Sequence, residues 1–216
     1  MTAKDIIEAG APHIILATGS TWRRDGMGRY HSRPISGNAK IFTPDDLMNG
    51  NLPTGKVLIY DDDHYYMGGV LAELLAENGC EVTLVTPAQT ISAWTEHTLE
   101  QERIYKRLLA LNVNLLPHHA LASFSPIAAT VTHTITSAES TLPSDAIVLV
   151  TDRIPNDALY HELKPALAEG KLKSLRLIGD AEAPNIIAQA IFSGHLAARE
   201  FDEVVDPDIT PFKIER

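Results

Sequence analysis

The stretch Val57–Glu73, VLIYDDDHYYMGGVLAE, decides the fold class of this chain. It opens with an apolar run, Val57–Tyr60, which is typical of a strand buried on both faces. Its last residues begin a run with apolar side chains at helical spacing, namely Val70 and Leu71 within the stretch and Leu74 and Leu75 directly after it. A strand that turns tightly into a helix begins a dinucleotide-binding βαβ unit. However, three aspartates, Asp61–Asp63, occupy the turn where such a unit needs glycine.

Strands and helices alternate along the rest of the chain. The patterns predict strands at 13–19, 55–60, 80–86, 113–117, 145–151 and 174–181. They predict helices at 4–9, 68–78, 98–111, 157–168 and 184–203, the last opened by Pro184. In the helix at 98–111 the predicted apolar stripe is Leu99, Ile104, Leu108 and Leu111. Thr43 and Pro44 are predicted to start a further short helix, as N-cap and first helical residue.

Alternation of this kind implies a parallel sheet with helices packed on it. Residues 119–136 instead alternate polar and apolar side chains between turn residues, which predicts an antiparallel meander. Residues 20–42 have the pattern of a loop, and the tail 206–216 that of extended chain. We therefore predict an α/β, three-layer, Rossmann-like fold of the FAD/NAD(P)-binding type, with an inserted antiparallel meander.

Composition excludes several classes of protein. The net charge of −10 over 216 residues argues against nucleic acid or an anionic membrane as the main partner, since both need a basic face. No run of about 18 apolar residues is present to span a bilayer. The single cysteine, Cys80, excludes an internal disulfide and a cysteine-held zinc or iron–sulfur site within the chain. We expect a reducing compartment, the cytoplasm.

Three motifs narrow the fold to one family. HIILATGS (13–20) resembles the ATG strand that closes the first nucleotide-binding segment of two-dinucleotide flavoproteins, which have the glutathione-reductase-type fold. VLVTDRIPN (148–156) resembles their TGRxPN strand, and LIGDAEAPNIIAQAIFSGHLAARE (177–200) resembles their C-terminal GD motif. With the aspartate turn and its Tyr-x-Met, the whole chain resembles the C-terminal region of the trimethylamine, dimethylamine and histamine dehydrogenase family, which is related to the 2,4-dienoyl-CoA reductases.

This resemblance implies a fragment of a larger oxidoreductase. Family members begin with an FMN-bearing barrel, a four-iron–four-sulfur cluster and a first glycine-rich nucleotide loop, all expected upstream of Met1. The parent would oxidise a small amine, or reduce an enone, by hydride transfer to FMN. The partners implied are the barrel of the same chain, an electron-transfer flavoprotein and a second copy in a homodimer.

The resemblance also divides the chain and names its cofactor site. Residues 1–54 and 147–216 correspond to a partial FAD/ADP-type domain, and residues 55–146 to a vestigial NAD(P)-type domain. The residues implied to bind the cofactor are Ala17, Thr18, Gly19, Gly179, Asp180 and Ala181. ADP or FAD is expected in the intact protein, and no cofactor in the fragment alone. As alternatives, Asp180 N-caps the long helix and Gly19 is a simple turn glycine.

The aspartate turn predicts that the NAD(P)-type site has lost its function. A carboxylate about 4 Å from a phosphate is opposed by roughly 1–4 kcal/mol in a wet site, whereas a helix N-terminus offers only about half a unit charge. The acidic residue that would hold a ribose after the next strand is absent, because Thr86-Pro87 stands there. We expect the aspartates to cap the helix themselves. The alternatives are an NAD(P)H-accepting module and a purely structural or interaction domain.

Other polar residues give weaker signals. A divalent metal on Asp61, Asp63 and His64 is a remote alternative, because metal sites need convergent, supported ligands. His118, His119 and His133 fall on the meander, His195 lies mid-helix, and Cys80 is expected in the core. The basic cluster Arg23, Arg24, Arg29 and Arg33 is interpreted as a solvated loop, with phosphate or domain contact as the alternative. No catalytic residue and no metal site are predicted.

Overall fold

The computed structural model describes residues 1–201, in which the chain divides into two units. Unit 1 comprises Met1–Thr21 and the chain from Ile154 onward, and unit 2 is the continuous stretch Trp22–Arg153. Residues 22–54 and 147–153 thus lie in the same unit as residues 55–146, whereas the sequence analysis assigned them to the FAD-type domain. The type of each domain stays a prediction.

The structure contains thirteen strands and six α-helices in residues 1–201. The strands are β1 His13–Leu16, β2 Ser20–Trp22, β3 Ser36–Gly37, β4 Ile41–Phe42, β5 Lys56–Asp61, β6 Glu81–Val85, β7 Asn114–Leu116, β8 His119–Phe124, β9 Ala128–His133, β10 Glu139–Pro143, β11 Ala146–Val150, β12 Arg153–Pro155 and β13 Ser174–Leu177. The helices are α1 Ala3–Glu8, α2 Pro44–Met48, α3 Tyr66–Glu77, α4 Gln101–Ala110, α5 Ala158–Ala168 and α6 Ile187–Arg199, with 3₁₀ turns at Ala93–Glu96 and Gly179–Ala181.

Unit 2 is built on a five-stranded parallel sheet in the order β4-β11-β5-β6-β7. Its two central strands, β5 and β11, are buried because both faces of the sheet are covered. On one face α3 and α4 supply Leu71, Leu75 and Leu108. On the other face the β8–β9–β10 meander supplies Leu121 and Val131. The predicted parallel sheet, meander and three-layer arrangement are confirmed within this unit.

Unit 1 contains a two-stranded parallel sheet, β1 with β13, in which Leu16 pairs with Leu177. Its core lies between this sheet and helices α1 and α5, and consists of Ile6, Ile14, Leu16, Leu163, Ala166 and Leu172. Helix α6 follows β13 and is largely exposed, with Ile187, Ile191 and Phe192 on its surface. No helix in residues 1–201 is long and apolar enough to cross a lipid bilayer.

Several predicted helix details are wrong for physical reasons. Val70 is 57% exposed, since the buried face of α3 runs through Leu71, Ala72 and Leu75. Leu99 is 93% exposed and has a positive φ of 61°, so it lies in the turn before α4 and outside the apolar stripe. Helix α6 starts at Ile187, three residues after the predicted Pro184, because the backbone is still extended at Ile186.

The loop and N-cap predictions have mixed outcomes. Thr43 is the N-cap of α2, as predicted, and both its N–H and its hydroxyl donate to the Asp46 carboxylate. The expected loop at 20–42 contains three short strands, β2, β3 and β4, whose pairing could not be read locally. The predicted helix end at 202–203 and the tail 206–216 lie outside the described residues.

Candidate functional site

The residues predicted to bind a cofactor follow two neighbouring parallel strands of unit 1. Ala17–Gly19 come directly after β1, and Gly179–Ala181 come shortly after β13. Because Leu16 and Leu177 are paired in register, both segments leave the same edge of the sheet. The structure thus brings the two predicted segments together where parallel α/β sheets bind ligands.

Thr18 is fastened to the motif that follows β11. Its hydroxyl donates to the Asn156 carbonyl oxygen at 2.6 Å, and the Asn156 side-chain amide donates to the Thr18 carbonyl oxygen at 3.1 Å. The Asn156 backbone N–H also donates to the Gly19 carbonyl oxygen at 2.9 Å. Asn156 is therefore a residue of the candidate site that the sequence prediction did not include, although it ends the VLVTDRIPN stretch quoted above.

Asp180 organises the second segment through both carboxylate oxygens. Its Oδ2 accepts the Ser20 hydroxyl at 3.2 Å, and its Oδ1 accepts the Asn185 N–H at 3.1 Å. The N-cap of α6 is Ile186, which makes no side-chain cap bond. The alternative that Asp180 N-caps the long helix is therefore wrong. Ser20 is a second residue that the sequence analysis missed, and its signal was its position next to the ATG motif.

Two left-handed glycines shape this edge of the sheet. Gly19 has φ 71°, and a Cβ placed there would have no heavy atom within 4 Å, so the space beside it is open. Gly179 has φ 61°, and its N–H donates to the Ser193 hydroxyl of α6 at 2.7 Å. The 13-residue helix α6 begins without a side-chain cap, which leaves backbone N–H groups at its positive end. Open backbone beside a helix N-terminus fits the phosphates of a nucleotide.

In unit 2 the aspartate turn lies at the switch point of the sheet. From β5 the chain runs through α3 to β6 on one side, whereas β11 lies on the other side of β5. The N–H groups of Asp62 and Asp63 both donate to the Val150 carbonyl oxygen, at 2.8 and 3.2 Å. The turn therefore occupies the crevice at which doubly wound sheets bind dinucleotides.

Asp61 points to the helical face of the sheet and is fully buried. Its Oδ1 accepts the N–H groups of Asp63 and His64, at 3.2 and 3.0 Å. Helix α3 has Tyr65 as N-cap and no side-chain cap bond, so the expectation that the aspartates cap this helix is wrong. Burial raises the pKa of the Asp61 carboxyl to about 7, although the His64 N–H opposes this shift.

Asp62 points to the opposite face and is also fully buried. Its Oδ2 accepts the Tyr30 N–H at 2.8 Å, and its Oδ1 lies 3.3 Å from His64 Nε2. His64 itself has a positive φ of 65°, a conformation that costs energy in a residue with a side chain. Asp62 thus holds a distant loop against the end of β5.

Asp63 is half-buried among arginines. Burial raises its pKa, while the positive charges of Arg153 and Arg29 lower it. The Arg29 guanidinium carbon lies 4.5 Å from the centre of the Trp94 ring. An anion placed here would have to displace a carboxylate that already faces two guanidinium groups.

Two arginines of the basic cluster, Arg23 and Arg24, pair with nearby carboxylates of unit 2. Arg23 donates to Asp25, and Arg24 donates to Asp46 and to the Ile41 carbonyl oxygen. These pairs leave the two guanidinium groups engaged with neighbouring carboxylates, which argues against their serving as phosphate ligands.

The contacts made by the histidines of the meander and by Cys80 are those of residues that support the fold. Residues 1–201 contain no group of three histidine, cysteine, aspartate or glutamate side chains arranged to hold a metal. The rings of His118 and His119 lie 6.0 and 4.9 Å from that of His133, whose Nδ1 accepts two backbone N–H groups of the following turn. Cys80 packs against the helical-face core, and its burial raises its thiol pKa.

Comparison with known proteins finds relatives along the whole chain. The family model of the OYE-like second alpha/beta domain matches residues 42–126. Dimethylamine dehydrogenase from Hyphomicrobium sp. (strain x) is 31% identical over 243 aligned positions, which cover 100% of this chain and 33% of that protein.

Two solved structures superimpose closely. Histamine dehydrogenase from Rhizobium sp. 4-9 has a TM-score of 0.93 and 38% identity, over 100% of this chain and 34% of that one. The 6-hydroxypseudooxynicotine amine oxidase from Pseudomonas geniculata N1 has a TM-score of 0.91 and 38% identity, over 94% and 31%. This chain therefore spans about one third of the length of the relatives that it matches.

Proposed function

Because this chain belongs to the trimethylamine, dimethylamine and histamine dehydrogenase family, we propose that it is the C-terminal nucleotide-binding region of an FMN- and iron–sulfur-containing oxidoreductase. In this proposal the chemistry takes place elsewhere in the enzyme. FMN in a barrel domain would supply the hydride acceptor for a small amine, and the cluster would supply the electron path to an electron-transfer flavoprotein. The intact enzyme is a homodimer.

The residues of this chain support a binding role and not a catalytic one. A four-iron–four-sulfur cluster held by cysteines does not fit the single Cys80, so the cluster ligands must come from another segment. The backbone at Gly19 and Gly179, together with the uncapped N-terminus of α6, does fit a nucleotide diphosphate.

One observation carries the nucleotide proposal. The Asp180 carboxylate joins Ser20 on one segment to Asn185 before α6 on the other, and so fixes both sides of the open edge. Asp180 would hold the loop in shape for an ADP-type ligand, ADP itself or the ADP part of FAD. The exposed Ala17 and Thr18 would complete the walls of this half-site, whereas Ala181 is fully buried and would only support it from behind.

Calorimetric titration of the full-length protein with ADP tests this site. Asp180→Ala leaves the Ser20 hydroxyl and Asn185 N–H without this acceptor, and ADP affinity should fall at least about tenfold, or 1.4 kcal/mol. Asp157→Ala is the matched control, because among residues 1–201 the Asp157 carboxylate pairs with His161 on an exposed surface of the same unit. Absence of ADP and FAD binding to the unmodified protein would favour an interaction domain instead.

Unit 2 is proposed not to accept electrons from NAD(P)H. Two buried carboxylates and a third flanked by arginines occupy the crevice where the pyrophosphate would lie. Anaerobic titration of the full-length enzyme with NADPH should therefore leave the flavin absorbance unchanged. Rapid bleaching would establish the alternative, a reductase module fed by NAD(P)H.

A further inference from the structure

The loop from Asp25 to Ile35, which we name the strap, closes on itself within unit 2. The Ile35 N–H donates to the Asp25 carbonyl oxygen at 2.8 Å, and the Gly28 N–H donates to the His31 carbonyl oxygen at 3.0 Å. These bonds turn eleven residues of irregular chain into a folded loop with its own shape. The strap can therefore act as a body that fills space.

The strap lies against three segments that follow the strands of the central sheet. Its Tyr30 N–H reaches Asp62 after β5, at 2.8 Å from Oδ2. A Cβ on its Gly28 would lie 3.2 Å from the Thr151 Cβ, directly after β11. Its Arg29 stacks on Trp94, in the segment after β6. These strand ends border the switch-point crevice, where a dinucleotide would sit in a doubly wound sheet.

Asp62 and Gly28 make the closest part of this contact. Asp62 is fully buried, and its Oδ2 accepts the Tyr30 N–H at 2.8 Å. A Cβ on Gly28 would lie 2.5 Å from Asp62 Oδ2, so any side chain at this position would collide with the carboxylate. The absence of a side chain at Gly28 thus makes room for the Asp62 carboxylate against the strap.

A second contact of the strap is less favourable. The rings of His31 and Tyr60 pack at 5.7 Å, yet within residues 1–201 His31 Nε2 and the Tyr60 hydroxyl have no hydrogen-bond partner. A buried polar atom left unpaired costs about 1–3 kcal/mol. The strap is also held by Arg29 on Trp94 and by Ile35, which packs against the core on the meander face. Loss of the Asp62 anchor should therefore release the part of the strap around Tyr30.

We propose that the strap is a built-in occupant of the dinucleotide crevice of unit 2 and that Asp62 is its anchor. The strap then fills the crevice, and the charge of the neighbouring aspartates additionally repels the phosphates of a dinucleotide. This inference deepens the proposed loss of the NAD(P)H-accepting role, and it is independent of the ADP site in unit 1.

A two-by-two set of variants in the full-length protein distinguishes blocking of the crevice by the strap from repulsion by the Asp63 charge. Asp62→Ala releases the strap, Asp63→Asn removes a repelling charge, and the double variant does both. Gly28→Ala displaces the strap from its own side and leaves Asp62 in place, which covers the case that Asp62→Ala misfolds. Asp62→Asn keeps an acceptor oxygen for the Tyr30 N–H and is the matched control.

Amide hydrogen exchange reports both the release of the strap and the binding of the ligand. Without ligand, the Tyr30 amide should exchange at least about tenfold faster in Asp62→Ala and Gly28→Ala than in the unmodified protein and in Asp62→Asn. With NADH added, the amides of residues 61–68 should gain protection only in variants whose strap is released, most of all in the double variant. Reading protection at these amides distinguishes binding in unit 2 from binding at an ADP site in unit 1.

Three results would overturn the proposal that the strap occupies the crevice and is anchored by Asp62. They are an unchanged Tyr30 amide in both release variants, NADH protection in Asp63→Asn equal to that in the double variant, and no protection in the double variant despite a released strap. Each leaves the proposed function intact. NADH protection and flavin reduction in the unmodified protein would instead refute the proposed loss of the NAD(P)H role itself.

Discussion

Thr18 and Asn156 hydrogen-bond each other twice although they are 138 positions apart in the chain. The Thr18 hydroxyl donates to the Asn156 carbonyl oxygen, and the Asn156 side-chain amide donates to the Thr18 carbonyl oxygen. The pair therefore fixes the end of β1 to the segment in which the chain re-enters unit 1. The link thereby positions Ala17–Gly19, one of the two segments of the proposed nucleotide edge.

Replacing Thr18 by valine tests the link. The change keeps the branched shape and removes one hydrogen bond, so unfolding free energy should fall by about 0.5–1.5 kcal/mol, with the lower end expected at this exposed position. Urea denaturation measures the loss, and Thr18→Ser is the control because it retains the hydroxyl. Equal stability of the valine and serine variants would show that this bond is unimportant.

An alanine side chain at position 19 would meet no neighbouring atom, but the left-handed backbone at this position would strain it. The φ of 71° at Gly19 with no heavy atom near a Cβ predicts a strain of about 1–2 kcal/mol and a loss of ADP affinity. Gly50→Ala is the matched control, since Gly50 has φ 82° and equally open surroundings but lies in unit 2. Both variants should lose similar stability, whereas calorimetry should find weaker ADP binding only for Gly19→Ala.

Asp61→Asn should become more stabilising as pH rises. The folded-state pKa of Asp61 is raised to about 7 from 3.8, so the folded protein holds an extra proton between these values and loses stability as pH rises through them. Asparagine keeps the Oδ1 acceptor for the Asp63 and His64 N–H groups and carries no charge. Urea denaturation should show its advantage over the unmodified protein growing by at least about 1 kcal/mol from pH 5 to pH 8.

The control for this pH dependence is Asp145→Asn. Asp145 accepts the exposed Lys56 N–H in the same unit, and the charge change is identical. The growth of the Asp61→Asn advantage with pH should exceed any change seen for Asp145→Asn over the same range. An Asp61→Asn advantage that did not vary with pH would contradict the raised pKa.

Gly37→Ala should disrupt the attachment of β3 to the meander. A Cβ on Gly37 would overlap both the ring and the carbonyl oxygen of Phe124, so at least about 1–3 kcal/mol of stability should be lost. Gly194→Ala in α6 is the comparison, because its Cβ would meet only Ile178 at 3.9 Å. That variant should be neutral or gain up to about 1 kcal/mol in helix propensity, as measured by thermal unfolding.

Local patterns predicted the strands, the meander and most helices, because burial leaves a periodic trace in the sequence. They failed at Leu99, where a positive φ removes the residue from the helical face. They also treated Asp61 and Asp62 as equivalent, although the strand alternation assigns Asp61 to the face of Ile59 and Asp62 to that of Tyr60. Applying that period through the turn would have separated their roles.

The partners of the candidate site could not be predicted in this way. The Ser20–Asp180 and Tyr30–Asp62 bonds join segments 160 and 32 positions apart, and no local pattern encodes such pairing. Motif resemblance did select Gly19, Gly179 and Asp180 for one cofactor site, and the pairing of β1 with β13 brings their segments to one sheet edge. The strap was read only as a polar loop, because what gives it a role is the crevice that it fills.

Unit 2 is one uninterrupted stretch, whereas unit 1 is assembled from the two ends of the described chain. During synthesis, unit 2 can complete its sheet as soon as β11 has left the ribosome. Strand β1 must wait for β13, and the His13–Ser174 bond that joins them spans 161 positions. Nascent chains arrested just after Arg153 should therefore already resist proteolysis within unit 2 while residues 1–21 are still cut, so the proposed nucleotide edge would form last.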